Sequence, residues 1–348
     1  MTHPDWHAFL GAAGARLVNT EIADFGDAAA ELQVARADSG ETLLAPLPHL
    51  TLIRCSGDDA REFLHNQLTS DVRRLADASA QPAAWCTAKG RMLASFFLLR
   101  EDATYTLRLA TDLSAAIAKR LRLYVLRSKV KIDEVGTARV LLGLSGPHAV
   151  SALASAGLPV PAADLALAHF ATGWVLRRAE NRYEIAIDAA DAPTRWQALA
   201  KQARPVGTPV WRWQEIRAGW PLVVAATSEE FVPQMADFEK IDGVSFQKGC
   251  YPGQEVVART RYLGKIKRHL YRLHSEAPLV AGEALWVGGD APQACGCVVD
   301  GAPSPAGGFE ALAVIQEEFT DGRTLHLGDV DGAALSIGAR VHPEEESA

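Results

Sequence analysis

Long apolar runs are absent from this sequence. No stretch approaches the roughly 18 consecutive apolar residues of a membrane-spanning helix. The first residues include His3, Asp5 and His7 rather than the basic segment and apolar run of a signal peptide. We therefore expect a soluble chain that is neither exported nor bound to a membrane.

Cysteine is also scarce. Five cysteines among 348 residues are too few for a disulfide scaffold of this length, and their odd number leaves at least one thiol unpaired. A reducing cytoplasmic location fits this content best. The five are Cys55, Cys86, Cys250, Cys295 and Cys297.

Several common catalytic motifs are missing. Gly264 and Lys265 lack the earlier glycine of a nucleotide-binding P-loop and are followed by Ile266 instead of Ser or Thr. The segment 143–147 ends in Pro147, which cannot form the sharp turn of a nucleophile elbow. The ten histidines show no metal-ligand spacing. These absences exclude any sequence-based assignment to nucleotide hydrolysis, serine esterase chemistry or a resident metal.

The composition is that of an ordinary globular protein. Hydrophobic residues make up 48% and charged residues 22%, and the length corresponds to two or three domains. The net charge of −7 gives no overall attraction for nucleic acid or anionic lipid. Any site for a polyanion must therefore be local.

The hydrophobic pattern alternates between helix and strand periods. Helices are predicted over residues 58–68, 113–125 and 194–203, the second from apolar residues spaced by four. Strands are predicted over residues 51–54, 95–99, 104–109, 130–132, 140–144, 174–176 and 183–187. Beyond Lys267, short alternating runs between Gly, Pro and Asp turns predict a small β-barrel or sandwich. The fold class is therefore α+β.

Cys295 and Cys297 flank a single glycine within one predicted strand. Their spacing places both thiols on one face, which suits a metal or a redox pair. No His or third Cys lies nearby in the sequence, so the stronger interpretation is that both are ordinary barrel residues.

The densest run of special residues covers 243–255. Gly249, Pro252 and Gly253 predict a tight backbone course, followed by a short helix over 255–260. Cys250 then lies near a helix N-terminus and two residues from Lys248, and both features favour a thiolate. The sequence predicts a reactive sulfur stabilised by Lys248. The alternative is that Cys250 is only a small buried apolar residue.

This segment resembles a known signature. Residues 248–255 match the Lys-Gly-Cys-Tyr-x-Gly-Gln-Glu pattern of the YgfZ family, folate-binding proteins of the GcvT-like superfamily that are implicated in iron–sulfur protein maturation and repair. Four further segments resemble patterns of the superfamily and follow one another in the expected order. They are residues 63–72, 89–92, 216–221 and 231–234.

The resemblance implies a ring of two mixed α/β domains and a C-terminal β-barrel around a tetrahydrofolate site. Its domains would cover residues 1–140, 141–262 and 263–348. A pterin needs flat apolar faces with a few donors and acceptors, and Trp211, followed by Trp213, is the nearest equivalent of the family's folate-contacting tryptophan. The alternative is that these tryptophans form the buried face of a helix. The remaining implied folate contacts are Asn66, Gln67, Asp71, Tyr251, Gln254, Glu255 and Arg259.

Two departures separate this chain from the superfamily's aminomethyltransferases. The resemblance aligns Ala94 and Ser95 with the Asp-Asp pair of those enzymes, so a general acid is missing. Arg217 takes the place of their pterin-binding Glu, and Glu215 lies about 200° away around a helix. No complete catalytic constellation is recognisable. An enzymatic role would be folate-dependent one-carbon transfer.

A basic segment follows the signature. It suits folate's glutamate tail, RNA or an acidic protein partner, and the alternative is a solvated connection into the barrel. Its members are Arg259, Arg261, Lys265, Lys267, Arg268 and Arg272.

The leading hypothesis is a cytoplasmic, monomeric protein that binds tetrahydrofolate and supports iron–sulfur enzymes, including tRNA-modifying enzymes, with Cys250 as its working thiol. Its expected partners are a reduced folate and iron–sulfur proteins or their assembly factors, with a weak tRNA contact through the basic segment. No stable metal or cluster is expected. The runner-up is a folate-dependent aminomethyl or one-carbon transferase, and the third hypothesis is a tRNA-binding module.

Overall fold

The alternation of helical and strand patterns produces mixed α/β layers followed by a β-barrel. The computed structural model describes residues 4–36, 39–262, 264, 266–288 and 292–343. The chain forms two compact units. The first unit comprises Met1–Phe63, Arg73–Gln81 and Phe97–Trp211, and the second comprises Leu64–Val72, Pro82–Phe96 and Arg212–Ala348.

The helices and strands have the following bounds. The α-helices are α1 (Pro4–Ala12), α2 (Ala28–Gln33), α3 (Ala60–Gln67), α4 (Ser114–Val125), α5 (Ala149–Ser155), α6 (Ala192–Leu199), α7 (Thr208–Ala218) and α8 (Gln254–Tyr262). The strands up to the barrel are β1 (Arg16–Val18), β2 (Glu21–Asp24), β3 (Leu43–Pro46), β4 (Leu50–Ser56), β5 (Ser79–Cys86), β6 (Met92–Glu101), β7 (Thr104–Ala110), β8 (Lys131–Glu134), β9 (Arg139–Ser145), β10 (Leu167–Phe170), β11 (Gly173–Ala179), β12 (Arg182–Asp188) and β13 (Arg204–Pro205). The barrel strands are β14 (Arg268–Ser275), β15 (Ala284–Val287), β16 (Gln293–Pro303), β17 (Phe309–Gln316), β18 (Leu325–Leu327) and β19 (Ala334–Arg340).

A six-stranded sheet of order β10-β11-β12-β9-β3-β13 lies within the first unit. Alternate residues of a strand face opposite sides, so Leu142, Leu144 and Ile185 share one face. They belong to a buried core with Leu10 of α1 and Trp196 of α6. The opposite face carries Gly143 and Glu184, which are paired across β9 and β12. Trp211 packs on this face, against Gly143.

A second sheet has the order β5-β6-β7-β4-β8. β6 begins with eight consecutive buried residues, which explains its near-continuous apolar sequence, because a strand covered on both faces has no polar alternation. In the first unit, β7 pairs antiparallel with β4 and with the second half of β6. The apolar side of α4 is buried at Ile117, Ala118 and Leu121.

The C-terminal region closes into a six-stranded barrel of order β14-β17-β16-β15-β18-β19. Its core includes Leu273, Leu285, Val298 and Ile315. A closed barrel leaves no open sheet edge, which lets short strands form a stable domain.

The two thiols of β16 have ordinary barrel positions. Sγ of Cys295 is fully buried and lies 3.3 Å from the Leu285 carbonyl oxygen, whereas Cys297 is half-buried. Burial raises the pKa of each thiol to about 11. Among the described residues, no group of three His, Cys, Asp or Glu side chains is placed to hold a metal ion. The geometry therefore favours the interpretation of Cys295 and Cys297 as barrel residues.

The predicted fold class is confirmed, since the structure combines mixed α/β sheets with a closed C-terminal β-barrel. Elements before β3 were missed, because α1, α2, β1 and β2 are short and carry few periodic apolar residues. The division into 1–140, 141–262 and 263–348 stays a prediction. In the described part of the chain, no helix is long and apolar enough to cross a membrane.

Candidate functional site

Lys248 is the anchor of the candidate site. Its side chain is buried, with the residue 8% exposed. Nζ donates hydrogen bonds to three backbone carbonyl oxygens, those of His65, Leu68 and Ser70, the last at 3.1 Å. The carbonyls at the end of α3 have no partners within the helix, so a buried ammonium satisfies them and gains charge-assisted hydrogen bonds. The ammonium also lies 5.0 Å from the ring centroid of Tyr251.

Residues 248–253, here called the Cys250 loop, follow the tight course that the sequence predicted. Gly253 has φ +81°, a conformation that favours glycine. A Cβ at this position would lie 2.3 Å from the carbonyl oxygen of Thr87 and 2.7 Å from Cα of Gly90. The backbone of the Cys250 loop therefore packs directly on the turn at residues 87–90. α8 begins at Gln254, and the predicted helix is confirmed.

Cys250 is exposed, unlike the other four cysteines. Burial raises the pKa of the thiols of Cys55 and Cys86 to about 12. Among the five thiols, only Cys250 combines exposure with a loop that is anchored by buried hydrogen bonds. This excludes the interpretation of Cys250 as a small buried apolar residue. Its reactivity, and the predicted effect of Lys248 on it, stay predictions.

The last turn of α3 and the segment after it contain two functional candidates that the sequence interpretation missed. His65 is 2% exposed, and its Nδ1 lies 3.2 Å from Oδ1 of Asp71. Thr69 is fully buried, and its hydroxyl donates to the Gly243 carbonyl oxygen at 2.6 Å while accepting from the Ala84 amide at 2.9 Å. Both residues lie within segment 63–72, which resembles a superfamily pattern. That resemblance was the sequence signal that could have identified them.

The structure brings several predicted folate contacts close to the Cys250 loop. Asp71 lies beside His65, whose carbonyl accepts from Lys248. Asn66 is exposed, and Oε1 of Gln67 accepts from Nε1 of Trp85 at 3.2 Å. Gln67 thus already has a structural partner.

The remaining candidates lie on or next to α8. Tyr251 is buried, and burial raises the pKa of its hydroxyl above the ordinary range. Gln254 is half-buried, and Glu255 and Arg259 are exposed on the first and last turns of the helix. These positions present polar side chains beside the Cys250 loop, and their contacts with folate stay predictions.

Trp211 is packed on both sides within the first unit. The Arg182 guanidinium lies 4.4 Å from the Trp211 ring centroid, and a Cβ on Gly143 would lie 2.3 Å from the ring. Trp211 is 1% exposed, so the geometry favours its role in helix packing.

Trp213 is half-buried. Its indole Nε1 is buried and has no hydrogen-bond partner among the described residues. Buried indole donors usually find an acceptor, and a ligand carbonyl or carboxylate would provide one. Nε1 of Trp211 is likewise buried and without a partner among the described residues. Trp213 therefore fits a folate contact, and its half-buried ring makes it a better geometric candidate than the covered Trp211.

The two departures from the aminomethyltransferase pattern have structural roles. Ala94 and Ser95 are buried, and the Ser95 hydroxyl accepts a hydrogen bond from the Val223 amide at 2.9 Å. Arg217 is exposed, and its NH1 lies 3.5 Å from Oε2 of Glu310. Neither place supplies a carboxylate for protonating or orienting a pterin.

Some residues of the basic segment contact other parts of the chain, so not all of them are available to bind a partner. Arg261 pairs with Glu239 at 3.0 Å, and Arg272 donates to the Arg217 carbonyl oxygen at 2.7 Å. Burial and the neighbouring Arg217 charge lower the pKa of Arg272. Lys265 lies outside the described residues. Arg259, Lys267 and Arg268 are exposed.

Known proteins resemble this chain over most of its length. The tRNA-modifying protein YgfZ of Yersinia pestis (strain Pestoides F) is 30% identical over 314 residues, which cover 89% of this chain and 94% of that protein. The chain belongs to the YgfZ family. The YgfZ of Klebsiella pneumoniae (strain 342) is 35% identical over 250 residues, or 70% of this chain and 75% of that protein. Residues 25–241 also match the family model described as the GCVT N-terminal domain.

A solved structure supports the fold of this YgfZ-family chain. The glycine cleavage system aminomethyltransferase T from Bartonella henselae aligns with a TM-score of 0.79, covering 99% of this chain and 98% of that one. The two sequences are 19% identical. The GcvT-like fold is therefore confirmed.

Proposed function

We propose that this chain binds tetrahydrofolate and supports the maturation or repair of iron–sulfur enzymes, with Cys250 as its working thiol. The observation that carries the proposal is the exposed Cys250 on a loop fastened by the buried Lys248 ammonium. Burying an ammonium is costly unless it is fully hydrogen-bonded, and here the arrangement holds an exposed thiol in a defined place. The family resemblance supports the iron–sulfur pathway.

The clients include enzymes that modify tRNA. The curated relatives carry the name tRNA-modifying protein, which is consistent with an indirect effect through such clients. One exposed cysteine cannot by itself retain a cluster, because clusters are held by several ligands. The chain therefore acts on iron–sulfur proteins or their assembly factors, as a monomer in the cytoplasm.

Folate binding uses Trp213 in this proposal. Its buried, unpartnered Nε1 supports an acceptor group of the ligand at that place, and its ring offers apolar surface to a pterin or aminobenzoate group. Tetrahydrofolate supplies a carrier for one-carbon units when bound. The contribution of the chain is to bind and orient it, since Ser95 and Arg217 provide no carboxylate for proton transfer.

The deciding experiment is complementation in cells that lack the native protein. We expect Cys250→Ser to retain its folding stability and folate affinity but to fail to restore iron–sulfur enzyme activity. Cys297→Ser, which changes a half-buried barrel thiol, is the matched control and should complement. Full complementation by Cys250→Ser would remove the thiol from the proposed mechanism.

A second candidate is a folate-dependent aminomethyl transferase. The aminomethyltransferase T fold favours it, whereas the buried Ser95 hydroxyl argues against it. Incubation with tetrahydrofolate and an aminomethyl donor separates the two. Formation of methylene-tetrahydrofolate that is lost in Trp213→Ala would favour the transferase.

A third candidate is direct tRNA binding through the basic segment. The intramolecular contacts of Arg261 and Arg272 argue against it. Direct binding would produce a tRNA affinity that falls steeply with salt, and a filter-binding titration at two salt concentrations measures this. If no such binding is found, the indirect effect through client enzymes that modify tRNA remains the proposal.

A further inference from the structure

The C-terminal end of α4 exposes an apolar surface, here called the α4 patch. Leu123 is 69% exposed, Tyr124 is 44% exposed, and Leu126, the residue after the helix, is 87% exposed. The other side of α4 packs against β4 and β8, with Ile117 and Leu121 buried. Single exposed apolar residues are common, but three within four positions form a patch. The α4 patch therefore lies on the side of the helix that the core does not use.

Leu126 takes a conformation that leucine rarely adopts. Its φ is 47° and its ψ is −108°, and the Ser128 amide donates to the Val125 carbonyl oxygen at 2.8 Å. These features are those of a type II′ turn, whose first central position favours glycine. A leucine there adds backbone strain, and at 87% exposure it buries almost nothing in return. Such a departure from local preference is typical of a residue that serves a partner.

Basic side chains surround the α4 patch. Residues 119–134 contain six basic and two acidic residues, whereas the whole chain has a net charge of −7. Lys119 lies one turn before Leu123 on the exposed side of α4, and Arg127 follows Leu126 directly. Both cations are exposed. The other basic residues of the segment are Arg120, Arg122, Lys129 and Lys131.

Acidic neighbours neutralise only part of this charge. Three of the basic side chains form ion pairs in which both partners remain partly exposed. These pairs are Arg122–Glu134 at 3.4 Å, Lys129–Asp58 at 3.2 Å and Lys131–Asp133 at 2.9 Å. Exposed pairs of this kind are weak and exchange readily for other partners. The surroundings of the α4 patch therefore stay positive and accessible.

This combination favours a protein partner with an acidic rim. Protein interfaces have an apolar centre, enriched in aromatic and Arg side chains, within a polar margin. Unpaired RNA bases stack on aromatic faces, which Leu123 and Leu126 do not have. An anionic bilayer would bring a wide negative surface towards a chain with a net charge of −7. A protein can instead contact the α4 patch alone.

We propose that the α4 patch is the docking surface for an iron–sulfur client enzyme that presents an apolar contact within an acidic rim. Leu126 and Leu123 supply the buried centre of this interface, and the surrounding cations pair with carboxylates and speed association. The inference rests on the proposed function and specifies the surface that receives the client. It gives α4 a task separate from that of Cys250.

The test is the affinity of the full-length chain for a purified, cluster-loaded iron–sulfur enzyme that modifies tRNA, measured by biolayer interferometry. We expect the double variant Leu123→Ser, Leu126→Ser to weaken affinity about tenfold, mainly through faster dissociation. Arg127→Glu should slow association about threefold and reduce its dependence on salt. Val280→Ser is the matched control, because Val280 is a 57% exposed apolar residue outside the α4 patch. It should bind with unchanged affinity.

Leu126→Gly separates docking from folding. Glycine suits the positive φ, so the midpoint of thermal unfolding should be retained while the affinity falls. Unchanged affinity in both this variant and the double serine variant would overturn the inference. Failure of the unaltered chain to bind the enzyme would do the same. So would binding, lost in these variants, to tRNA or to vesicles of phosphatidylcholine and phosphatidylglycerol in place of the enzyme.

The two proposals fail separately in the complementation assay. The leucine variants retain Cys250, so they should keep its alkylation rate and the tetrahydrofolate affinity but fail to restore iron–sulfur enzyme activity. Full complementation by them would discard the docking surface and leave the proposed function in place. Complementation by Cys250→Ser, with loss of enzyme binding in the leucine variants, would keep the docking surface and discard the thiol.

Discussion

Nζ of Lys248 donates a hydrogen bond to the carbonyl oxygen of Ser70 across 3.1 Å. The same ammonium donates to the carbonyls of His65 and Leu68, so each of its three N–H groups is directed at a carbonyl oxygen. This assigns Lys248 the task of fastening the Cys250 loop to the end of α3. The sequence predicts that Lys248 stabilises a thiolate at Cys250. Its contacts give Lys248 a structural role that its spacing from Cys250 did not indicate.

Replacing this ammonium should destabilise the protein. Lys248→Met leaves buried carbonyl oxygens without their donor, and we expect the free energy of unfolding to fall by about 2–4 kcal/mol. Urea denaturation measures the change. Lys240→Met, at an exposed lysine, should change it by less than about 0.5 kcal/mol. Equal stability of the two variants would show that the three hydrogen bonds are not formed.

Gly253 should tolerate no side chain. Gly253→Ala places a Cβ 2.3 Å from the Thr87 carbonyl oxygen at φ +81°, so strain and overpacking together should cost about 3 kcal/mol of unfolding free energy. Gly307 also has a positive φ, +94°, but nothing lies within 4 Å of its Cβ position. Gly307→Ala should therefore cost only about 1 kcal/mol. Thermal unfolding of both variants separates the cost of close packing from that of backbone strain. Equal losses of stability in the two variants would contradict the close packing of Gly253 on Thr87.

The five thiols should differ sharply in their labelling. We expect brief iodoacetamide treatment of the folded protein at pH 8 to modify Cys250 first, because it is exposed. Cys55 and Cys86 should react only after unfolding, since burial covers them and keeps them protonated. Peptide mapping by mass spectrometry gives the order. Early labelling of Cys86 would contradict its burial in β5.

The buried thiols should also make stability depend on alkaline pH. In the unfolded chain Cys55 and Cys86 ionise near pH 9, whereas their folded pKa values are raised to about 12. Above pH 9 the unfolded state therefore binds fewer protons, and the free energy of unfolding falls as pH rises towards 12. Tyr251 contributes in the same direction at higher pH. Urea midpoints at pH 8, 9 and 10 should decline less steeply in a Cys55→Ala, Cys86→Ala double variant.

The two tryptophans of α7 should respond differently to loss of the indole N–H. Trp213→Phe keeps a ring but removes the unpartnered donor, so we expect tetrahydrofolate affinity to fall by about 1 kcal/mol, or roughly fivefold. Trp211→Phe also removes an unpartnered donor, but it should leave affinity nearly unchanged because the Trp211 ring is covered by the protein. Isothermal titration calorimetry measures both. A loss of affinity only in Trp211→Phe would restore Trp211 as the folate contact.

Trp211→Ala is a less informative variant. On a purely sequence-based view it should weaken folate affinity by roughly 1–3 kcal/mol while preserving the fold. The structure packs Trp211 against Gly143 and beneath Arg182. Truncation would leave a cavity that costs about 3–5 kcal/mol, so the phenylalanine substitution is preferred.

Local patterns were sufficient to predict some of the helices and strands, although they missed α1, α2, β1 and β2. The apolar spacing of Ile117 and Leu121 predicts α4, and the run around Phe97 predicts β6, because each depends on neighbours within a few residues. The short alternating strands beyond Lys267 likewise predicted the barrel. The tight turn at Gly253 and the start of α8 followed from the Pro-Gly pair.

The sequence by itself determined the element pattern, the family signature and the choice of Cys250 as the thiol of interest. Only the tertiary structure decided that Lys248 binds the carbonyls of His65, Leu68 and Ser70, which are about 180 positions away in the chain. It also decided that Trp211 is covered and that His65 lies beside Gly249. Periodicity reports which face of an element is buried, whereas the partner that buries it depends on how distant segments pack.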